Sequence, residues 1–579
     1  MPSPHDALAP LVTAGIEAAF GPELRGADPV LRPSQFADLQ SNAPLALAKR
    51  LGMPPRDVGA RLADALLASP QATQVCATVQ VSGPGFVNLT LADSWISAQV
   101  AQLAADPRLG VALEPAQVVP LDYSAPNVAK EMHVGHLRTT VVGDALARTL
   151  EFLGHQVIRQ NHVGDWGTPF GMLVEHLLDV GEDSPQARLV ATDPNAFYQA
   201  AREKFDGSAE FADRARARVV ALQGGDAQTL RVWGELLELS KSYFNRIYRA
   251  LDVTLTDADL AGESTYNDAL PGICAELQEK GIAVVSEGAL CVFLDGLTGR
   301  EGKPVPLIVR KSDGGYGYGT TDLATIKYRV QTLGADRILY VVGAAQALHL
   351  RMVAATARLA GWLPEGVEVV HVQIGNVLGE DRKILRTRAG SSLRLMALVD
   401  EAVEASRRVL DEARPDLSEA ARHTLSQQIG VGAIKYADLS VAHDSEYVFD
   451  LDRMVSLTGN TGPYLQYAVA RLRSLFRTAG VPATGARDIE VREPAERALA
   501  LHLLSFGSVV RQVGADLEPH RLCGFLFELA QSFSGFWEQC PVLKADGPTR
   551  ESRLGLAAAT LAVLERGLGL LGIAAPEQM

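Results

Sequence analysis

The stretch LDYSAPNVAKEMHVGH, residues 121–136, joins a predicted β-strand to a predicted α-helix. Residues 118–123 suit a buried strand, residues 137–154 suit an apolar-rich helix, and residues 156–163 suit a second strand. Strand–helix–strand units of this kind build parallel sheets with helices on both faces. Such sheets bind ligands at the carboxyl ends of their strands, so the loop within residues 121–136 is a predicted ligand site.

Two histidines in this stretch favour a phosphate ligand. His133 and His136 are three residues apart, so on a helical turn they point to one side. Both can donate hydrogen bonds to phosphate oxygens, Lys130 adds a mobile positive charge, and Gly135 lets a base or phosphate approach the backbone. The spacing alone leaves two alternatives open, a pair of surface histidines and a metal site, although neither an HExxH motif nor a third ligand lies nearby.

The strand–helix rhythm returns later in the chain. Residues 337–343 and 367–374 are predicted strands, and residues 345–361 are a predicted helix between them. Residues 182–250 are charged and helical in pattern. They lie between the two strand–helix–strand units and are predicted to be an insertion. The sequence therefore predicts an α/β, Rossmann-like parallel-sheet domain over residues 116–390, with a helical insertion at about 182–250.

A smaller unit precedes this domain and a helical region follows it. Residues 1–105 are predicted to be a small α+β domain, with helices at 7–20 and 43–67 and a hairpin at 75–91. A polar linker, residues 105–117, leads into the sheet domain. Residues 391–579 are almost wholly helical in pattern, which predicts an all-α C-terminal domain.

Composition limits the class of protein. The 579 residues are 47% hydrophobic and 21% charged, as in a soluble globular protein, and the net charge of −14 argues against a simple nucleic-acid coat protein. The five cysteines form no CxxC pair, so neither structural zinc nor a disulfide framework is expected. The sequence has neither an 18-residue apolar run nor a secretory signal, so we expect no membrane span and a cytoplasmic location.

Several motifs, in order, carry a family resemblance. SAPNVAKEMHVGHLR at 124–138 resembles the HIGH signature of class I aminoacyl-tRNA synthetases in its arginyl form. The resemblance continues in NHVGDWGT at 161–168, SDGGY at 312–316, TTDL at 320–323 and GNTGPYLQYA at 459–468. Because it covers nearly the whole chain, the chain is identified as a member of the bacterial-type arginyl-tRNA synthetase family.

The resemblance implies a two-step reaction with ATP and its bound Mg²⁺. The carboxylate of arginine attacks the α-phosphate, and the terminal ribose of tRNA(Arg) then takes the arginyl group. No covalent enzyme intermediate is needed, so the protein has only to align the reactants and stabilise phosphate charge. His133, His136 and Lys130 are the implied catalytic residues, and with Gly135 they also bind ATP.

The second class I signature, KMSKS, is eroded in this chain. Ile384-Leu385-Arg386-Thr387 stands where its lysines are expected. The resemblance implies that Lys130 supplies the missing phosphate charge, helped by Lys383 or Arg386.

Carboxylates are the expected partners of a guanidinium, which presents a fixed fork of donors. The arginine-binding residues implied by the resemblance are Asp122, Asn127, Tyr318, Asp322 and Gln346. For Asp322 a purely structural role stays open, since an aspartate there could cap a helix that opens at Leu323. No large hydrolytic domain interrupts the sheet domain, which fits arginine, because a site built around an ion pair rejects uncharged analogues without editing.

Both flanking domains are expected to contact tRNA. The resemblance assigns the tRNA elbow to the N-terminal domain, with Gln40 and Asn42, and the anticodon to the C-terminal domain. In the helix after Pro463, an apolar stripe should face the core, leaving basic and aromatic residues for RNA. A solvated charged face is the alternative. The candidate tRNA contacts there are Gln466, Tyr467, Arg471, Arg473 and, further along the chain, Trp537.

Three other functions compete with this interpretation. Other class I synthetases would need zinc-binding cysteines or an editing insertion. A non-catalytic tRNA-binding paralogue would be expected to lose His133, His136 or Asp322, and all three are present. HIGH-type adenylyl-transferring enzymes, such as pantothenate synthetase, lack a helical domain of this size. We therefore expect a monomeric enzyme without structural zinc.

Overall fold

The computed structural model describes residues 3–128, 130–298, 304–385, 393–485 and 487–579. The predicted Arg386 contact lies outside these residues. Within them the chain forms an N-terminal α+β unit, a central unit around a parallel sheet, and a helical C-terminal unit.

The N-terminal unit surrounds an antiparallel sheet of order β1-β2-β4-β3. The predicted hairpin forms around Gly83 and Gly85, whose φ angles of 54° and 134° suit glycine. The predicted helix at 43–67 is two helices, because Gly52 takes a φ of 62° and Pro54 follows it. The elements are α1 (Pro4–Phe20), β1 (Leu31–Pro33), β2 (Leu39–Ser41), α2 (Ala43–Leu51), α3 (Pro55–Leu67), α4 (Pro70–Val75), β3 (Cys76–Ser82), β4 (Phe86–Leu91) and α5 (Asp93–Ala105).

The central sheet has four strands, all parallel, in the order β11-β10-β5-β6. They are β5 (Val118–Asp122), β6 (Gln156–Gln160), β10 (Arg337–Gly343) and β11 (Glu368–Ile374), and they confirm the four predicted strands. Helices α6 (Val134–Leu153) and α14 (Ala347–Leu359) are the predicted crossover helices. The carboxyl ends of these strands form one edge, called the carboxyl edge below, and the loops after β5, β6 and β10 meet there.

The insertion is helical, as predicted. It follows α7 (Thr168–Val180), and its elements are α8 (Leu189–Thr192), α9 (Pro194–Gly207), α10 (Ala209–Gln223) and α11 (Ala227–Ala250). Helix α12 (Leu270–Glu279) comes next. The sequence analysis missed an antiparallel sheet of β7 (Ala283–Ser286), β8 (Ala289–Thr298) and β9 (Pro304–Arg310). Glu287-Gly288 forms the two-residue turn between β7 and β8, and both residues have positive φ. The glycine in this pair was the sequence signal for the hairpin. Helix α13 (Tyr318–Gln331) then leads to β10.

The C-terminal unit is helical apart from one short strand. β13 (Tyr447–Val448) pairs in parallel with β12 (Val377–Leu378), and two residues are too few to show an alternation in sequence. The predicted apolar stripe of α18 is buried at Leu465, Leu472 and Leu475. The helices are α15 (Leu395–Ala413), α16 (Glu419–Leu439), α17 (Leu451–Met454), α18 (Gly462–Ala479), α19 (Pro494–Leu503), α20 (Phe506–Asp516), α21 (His520–Gln539) and α22 (Gly547–Leu570).

Pro494–Asp516 has the length and mean hydropathy, 1.2, of a membrane-spanning helix. In the structure this segment forms two helices, α19 and α20, which bury Leu499, Leu503, Phe506 and Val510 in the protein core. Core packing therefore accounts for its apolar character.

All five cysteines are buried and free. Burial raises the pKa of Cys76 and of Cys274 to about 11, so these thiols are protonated at neutral pH. The interpretation of the cysteines as buried thiols is confirmed for all five.

Candidate active site

The loop between β5 and α6 begins with two non-glycine residues in the left-handed region. Ser124 has a φ of 69° and Ala125 a φ of 44°, a conformation that costs about 1–3 kcal/mol per residue. Tertiary hydrogen bonds hold it: the Ala125 N–H donates to Asn161 Oδ1 at 3.1 Å, and Ser124 Oγ lies 2.9 Å from the Tyr248 hydroxyl. The loop is therefore fixed at the carboxyl edge by the residue after β6 and by α11.

His133 and His136, the histidine pair, cap α6 reciprocally. The Gly135 N–H donates to His133 Nδ1 at 3.0 Å, and the His133 N–H donates to His136 Nδ1 at 3.1 Å. The two ring centroids are 4.1 Å apart. Because each Nδ1 accepts a hydrogen bond, a neutral ring must carry its proton on Nε2. Each imidazole is therefore left with one N–H donor.

Both rings are neutral at physiological pH. Burial, helped by the Lys130 charge, lowers the pKa of His133. Burial, with His133 beside it, lowers the pKa of His136 to about 3. The histidine pair thus supplies neutral N–H donors rather than positive charge, which leaves Lys130 as the cation of the stretch.

Gly135 is required by the cap itself. A Cβ on this residue would lie 2.8 Å from His133 Cε1 and 2.9 Å from His133 Nδ1. Any side chain here would displace the His133 ring. This is a further reason for glycine, beside the predicted approach of a base or phosphate.

Lys130 does not project freely into solvent. Its Nζ lies 4.2 Å from the centroid of the Tyr198 ring, on insertion helix α9. On the second-signature loop, Lys383 is exposed in a tight turn in which the Gly379 N–H donates to the Lys383 carbonyl at 2.8 Å. The structure therefore describes two of the predicted cations, one held by an aromatic ring and one exposed.

A second cluster, called the acidic pocket below, surrounds Asp322. Helix α13 begins at Tyr318 with Gly317 as its N-cap, so Asp322 lies in the second turn and the capping alternative is wrong. His349 Nε2 lies 2.5 Å from Asp322 Oδ2, and His162 Nε2 lies 3.7 Å from Asp322 Oδ1. The Tyr318 side chain is 68% exposed and meets the His349 ring edge-on, with centroids 4.8 Å apart. Tyr318 and Asp322 thus share one helix face, as their spacing predicts.

The sequence analysis missed Glu263 as a member of this pocket. Its N–H donates to the Val163 carbonyl at 3.2 Å, which anchors it beside the loop after β6. Burial, then the carboxylates of Asp322 and Asp165, raise the pKa of Glu263 to about 8. Nothing in the local pattern separates Glu263 from a surface glutamate, because its charged neighbours come from distant parts of the chain.

Asp122 already has a guanidinium partner. It is the last residue of β5 and is buried, and its Oδ2 accepts a hydrogen bond from Arg329 Nη2 at 2.8 Å. Arg329 is fully buried on α13. Asp122 Oδ1 has no hydrogen-bond partner among the described residues. A resident arginine therefore occupies one carboxylate oxygen, and only Oδ1 is left for a ligand, so the predicted arginine contact of Asp122 would have to use this atom.

The remaining two predicted arginine ligands lie at the carboxyl edge. The backbone of Asn127 bridges to Gly164, and Asn127 Oδ1 lies only 2.5 Å from where a Cβ on Gly164 would be. Gln346 is exposed in the turn between β10 and α14, three residues before His349. Both residues therefore lie in loops that follow strands of the parallel sheet, as His162 does, and Asp122 ends one of these strands.

Three family models match the chain. They are "tRNA synthetases class I (R), catalytic domain" at residues 99–451, "DALR anticodon binding domain" at 465–579, and "Arginyl tRNA synthetase N terminal domain" at 6–91. The chain belongs to the class I arginyl-tRNA synthetase family. These matches confirm the predicted three-domain fold class, while the exact boundaries at 1–105, 116–390 and 391–579 stay predictions.

Curated members of the arginyl-tRNA synthetase family match along the whole chain. The arginine–tRNA ligase of Thermobifida fusca is 67% identical, with 100% of each chain covered. That of Frankia casuarinae is 52% identical, covering 98% of this chain and 97% of the relative. Identity at this level favours the arginyl enzyme over the other class I synthetases, the paralogue and the pantothenate-type enzyme.

Two solved arginyl-tRNA synthetases share the architecture. The Plasmodium falciparum structure has a TM-score of 0.85 at 26% identity and covers 100% of both chains. The Thermus thermophilus structure has a TM-score of 0.78 at 25% identity and covers 99% of both.

In the DALR domain, three of the predicted tRNA contacts come together. Tyr467 is 44% exposed, and Arg471 lies one helical turn after it on α18. The Arg471 guanidinium stands 4.9 Å from the centroid of the Trp537 ring on α21. This aromatic and basic surface, called the α18–α21 patch below, has the chemistry of a base-stacking site.

The prediction that Gln466 contacts tRNA is wrong. Its side chain is 0% exposed, and its Nε2 donates to the carbonyls of Gln428 at 2.9 Å and Ala574 at 2.8 Å. Gln466 follows Leu465 on the apolar stripe, and it faces α16 and the last residues of the chain. A buried amide with two carbonyl partners is a structural link.

The prediction for Arg473 is contradicted in the same way. The side chain is 19% exposed, its Nη2 lies 2.7 Å from Glu565 Oε1, and its Nη1 donates to the Ala575 carbonyl at 2.9 Å. Arg473 therefore holds residues near the C-terminus against α18 and α22, and its charge is neutralised within the protein.

In the N-terminal domain, Gln40 Nε2 donates to Asn42 Oδ1 at 2.9 Å, and both side chains are half-buried. The sequence analysis missed Phe36, which lies between β1 and β2 and is 82% exposed. An aromatic ring at such exposure is not part of the domain core, and it suits contact with a nucleobase.

Proposed function

We propose that the chain activates L-arginine with MgATP and transfers it to tRNA(Arg) by means of the histidine pair and the acidic pocket. The arginine carboxylate attacks the α-phosphorus, pyrophosphate leaves, and arginyl-adenylate forms. A hydroxyl of the terminal ribose then attacks the arginyl carbonyl, and AMP leaves. The observation that carries the proposal is one carboxyl edge bearing both a neutral donor pair and a carboxylate pocket.

At the ATP end, we assign His133 and His136 to the phosphate oxygens through their Nε2 protons. Neutral donors stabilise developing charge without binding pyrophosphate as tightly as fixed cations would. Lys130 supplies the positive charge, helped by Lys383 or Arg386 of the second signature. Gly135 keeps the donors oriented.

At the arginine end, we assign the guanidinium to Asp322, Glu263 and Tyr318. Two carboxyl groups match the planar fork of a guanidinium, whereas the ammonium of lysine is a point charge that leaves one of them unpaired. Asp122, through Oδ1, and the amides of Asn127 and Gln346 suit the polar groups at the other end of the amino acid.

For tRNA, we assign the elbow to Gln40, Asn42 and Phe36, and anticodon bases to the α18–α21 patch. The enzyme is proposed to act as a cytoplasmic monomer that needs no structural zinc. Among the described residues, no three His, Cys, Asp or Glu side chains form a metal-binding group.

Pyrophosphate exchange with each amino acid, with and without total tRNA, tests the substrate. We expect arginine to be the one amino acid that supports exchange. Exchange with a different amino acid would overturn the proposal.

Lys130→Ala tests the proposed charge substitution at the ATP end. It should slow adenylate formation by about 10²–10³-fold, the usual effect of one lost transition-state contact, while KM for arginine changes little. Lys280→Ala is the matched control, since it removes a lysine whose Nζ pairs with Glu276 at 2.7 Å on α12. Full exchange activity in Lys130→Ala would overturn this role.

A further inference from the structure

Insertion helix α9 contacts the first signature directly. Lys130 Nζ lies 4.2 Å from the centroid of the Tyr198 ring on this helix. A lysine side chain has four rotatable carbons and a compact charge, so an unheld ammonium would sample many positions. An aromatic face at this distance attracts the cation and restricts where it lies.

The start of α9 also contacts the segment that follows the second signature. Asp193 caps the helix by accepting from the Ala196 N–H at 3.1 Å, and its Oδ1 lies 3.4 Å from Arg394 Nη2. Arg394 Nε in turn lies 2.7 Å from Glu131 Oε2, next to Lys130. An ion-pair chain thus runs from α9 through Arg394 to the signature loop.

Backbone pairing joins the two signature segments at the same place. The Val134 N–H donates to the Leu393 carbonyl at 3.0 Å, and the Leu395 N–H donates to the Met132 carbonyl at 2.9 Å. The residues on either side of Arg394 therefore pair with the backbone of the histidine loop. Helix α9 contacts both segments, through Asp193 to Arg394 and through Tyr198 to Lys130.

We propose that Tyr198 is a positioning residue for Lys130, and that α9, locked by Asp193 and Arg394, sets where the Lys130 charge lies during adenylate formation. This inference rests on the role proposed for Lys130. With the KMSKS lysines absent, the other cation of the first signature is Arg138, which is buried and paired with Asp438, so the position of the Lys130 charge matters. The helical insertion thereby contributes to phosphate chemistry without touching substrate.

A double-mutant cycle on the full-length protein tests the inference. Tyr198→Leu and Tyr198→Phe are made in the wild-type and in the Lys130→Ala background, and pyrophosphate exchange gives kcat and KM for ATP and arginine. Tyr198→Leu should lower kcat about fivefold to tenfold in the wild type and leave KM for arginine unchanged. Tyr198→Phe, which keeps the ring, should restore most of the activity.

The Lys130→Ala background separates positioning from general damage. There Tyr198→Leu should have less than about a twofold further effect, because the charge that it orients is gone. Phe205→Leu removes another ring of α9, one that faces Arg202 and Arg216, and it should leave kcat unchanged. Thermal unfolding of each variant verifies that the insertion is folded.

Three results would overturn the inference. If Tyr198→Leu lowers kcat equally in both backgrounds, or has no effect in the wild type while Lys130→Ala is slow, Tyr198 does not act through Lys130. If Lys130→Ala is itself fully active, the role proposed for Lys130 falls, and the inference falls with it.

Discussion

Glu263 carries a proton at physiological pH because its carboxyl group is buried and lies near two other carboxylates. Its pKa of about 8 stands well above the 4.5 of a free glutamate. A raised folded-state pKa means that Glu263 adds stability below pH 4.5 and that this contribution is lost as the pH rises through about 8. A bound guanidinium would reverse this preference, because it stabilises the ionised carboxylate.

Arginine binding at pH 7 should therefore release close to one proton from Glu263. Isothermal titration calorimetry in buffers of different ionisation enthalpy measures the release, which should disappear well above pH 8. Glu263→Gln should abolish it and weaken arginine binding by about 10–100-fold, the value of a charged hydrogen bond.

Glu263→Gln should also raise the thermal stability of the ligand-free protein above pH 8, where the native residue is a buried charge. Glu279→Gln, at an exposed position of α12, serves as the control. It should change neither the proton release nor the thermal stability. Undiminished proton release in Glu263→Gln would mean that another group titrates.

At the scale of a single element, the start of α6 joins helix capping to chemistry. The same two hydrogen bonds that satisfy backbone N–H groups also fix the tautomers of the histidine pair. Fold stability and activity make different demands at Gly135. Alanine favours a helix over glycine by about 1 kcal/mol, yet a Cβ would meet the His133 ring.

Gly135→Ala should therefore abolish most activity without unfolding the protein. We expect pyrophosphate exchange to fall by about 10²-fold, as the His133 donor is displaced, with a thermal midpoint equal to or above that of the wild type. Gly272→Ala on α12 is the control, because its Cβ would have no neighbour within 4 Å. Normal exchange in Gly135→Ala would contradict the cap as the orienting device.

Across the whole molecule, the last residues of the chain tie the C-terminal helices together. On α18, Gln466 donates a hydrogen bond to the Ala574 carbonyl, and Arg473 donates one to the Ala575 carbonyl. Gln466 also donates to the carbonyl of Gln428 on α16. These contacts join segments that are about a hundred residues apart in sequence.

Gln466→Ala should destabilise the protein by about 1–3 kcal/mol, because two buried carbonyls lose their donor. Urea unfolding measures the loss, and the affinity for tRNA(Arg) should stay unchanged below the transition. Gln71→Ala, at an exposed position in α4, is the control and should be neutral. A variant with full stability and weak tRNA binding would restore the original surface prediction.

In the N-terminal domain, the exposed Phe36 is the residue to test. Phe36→Ala should raise the Kd for tRNA(Arg) by about 5–100-fold, the range of one lost stacking contact, without lowering thermal stability. Filter binding and thermal unfolding measure the two quantities. Leu67→Ala removes another exposed apolar side chain of this domain and should leave Kd unchanged. Equal Kd values for wild type and Phe36→Ala would exclude the contact.

The parallel sheet, the helical insertion, the helical C-terminal domain and the histidine segment could all be predicted from local sequence patterns. These follow from hydrophobic periodicity and from short motifs, which act over a few residues. The proximity of Tyr318 and Asp322 could also be predicted locally, because residues four apart lie on one face of a helix.

Which of the polar groups are free to bind a ligand could not be predicted from these patterns. The tertiary structure brought Glu263 within electrostatic range of Asp322, gave Asp122 a resident arginine, and buried Gln466 against the end of the chain. Each of these outcomes depends on residues brought together from distant parts of the chain, and burial with a charged neighbour sets the pKa of a carboxyl group and its freedom to bind. A local pattern contains neither quantity.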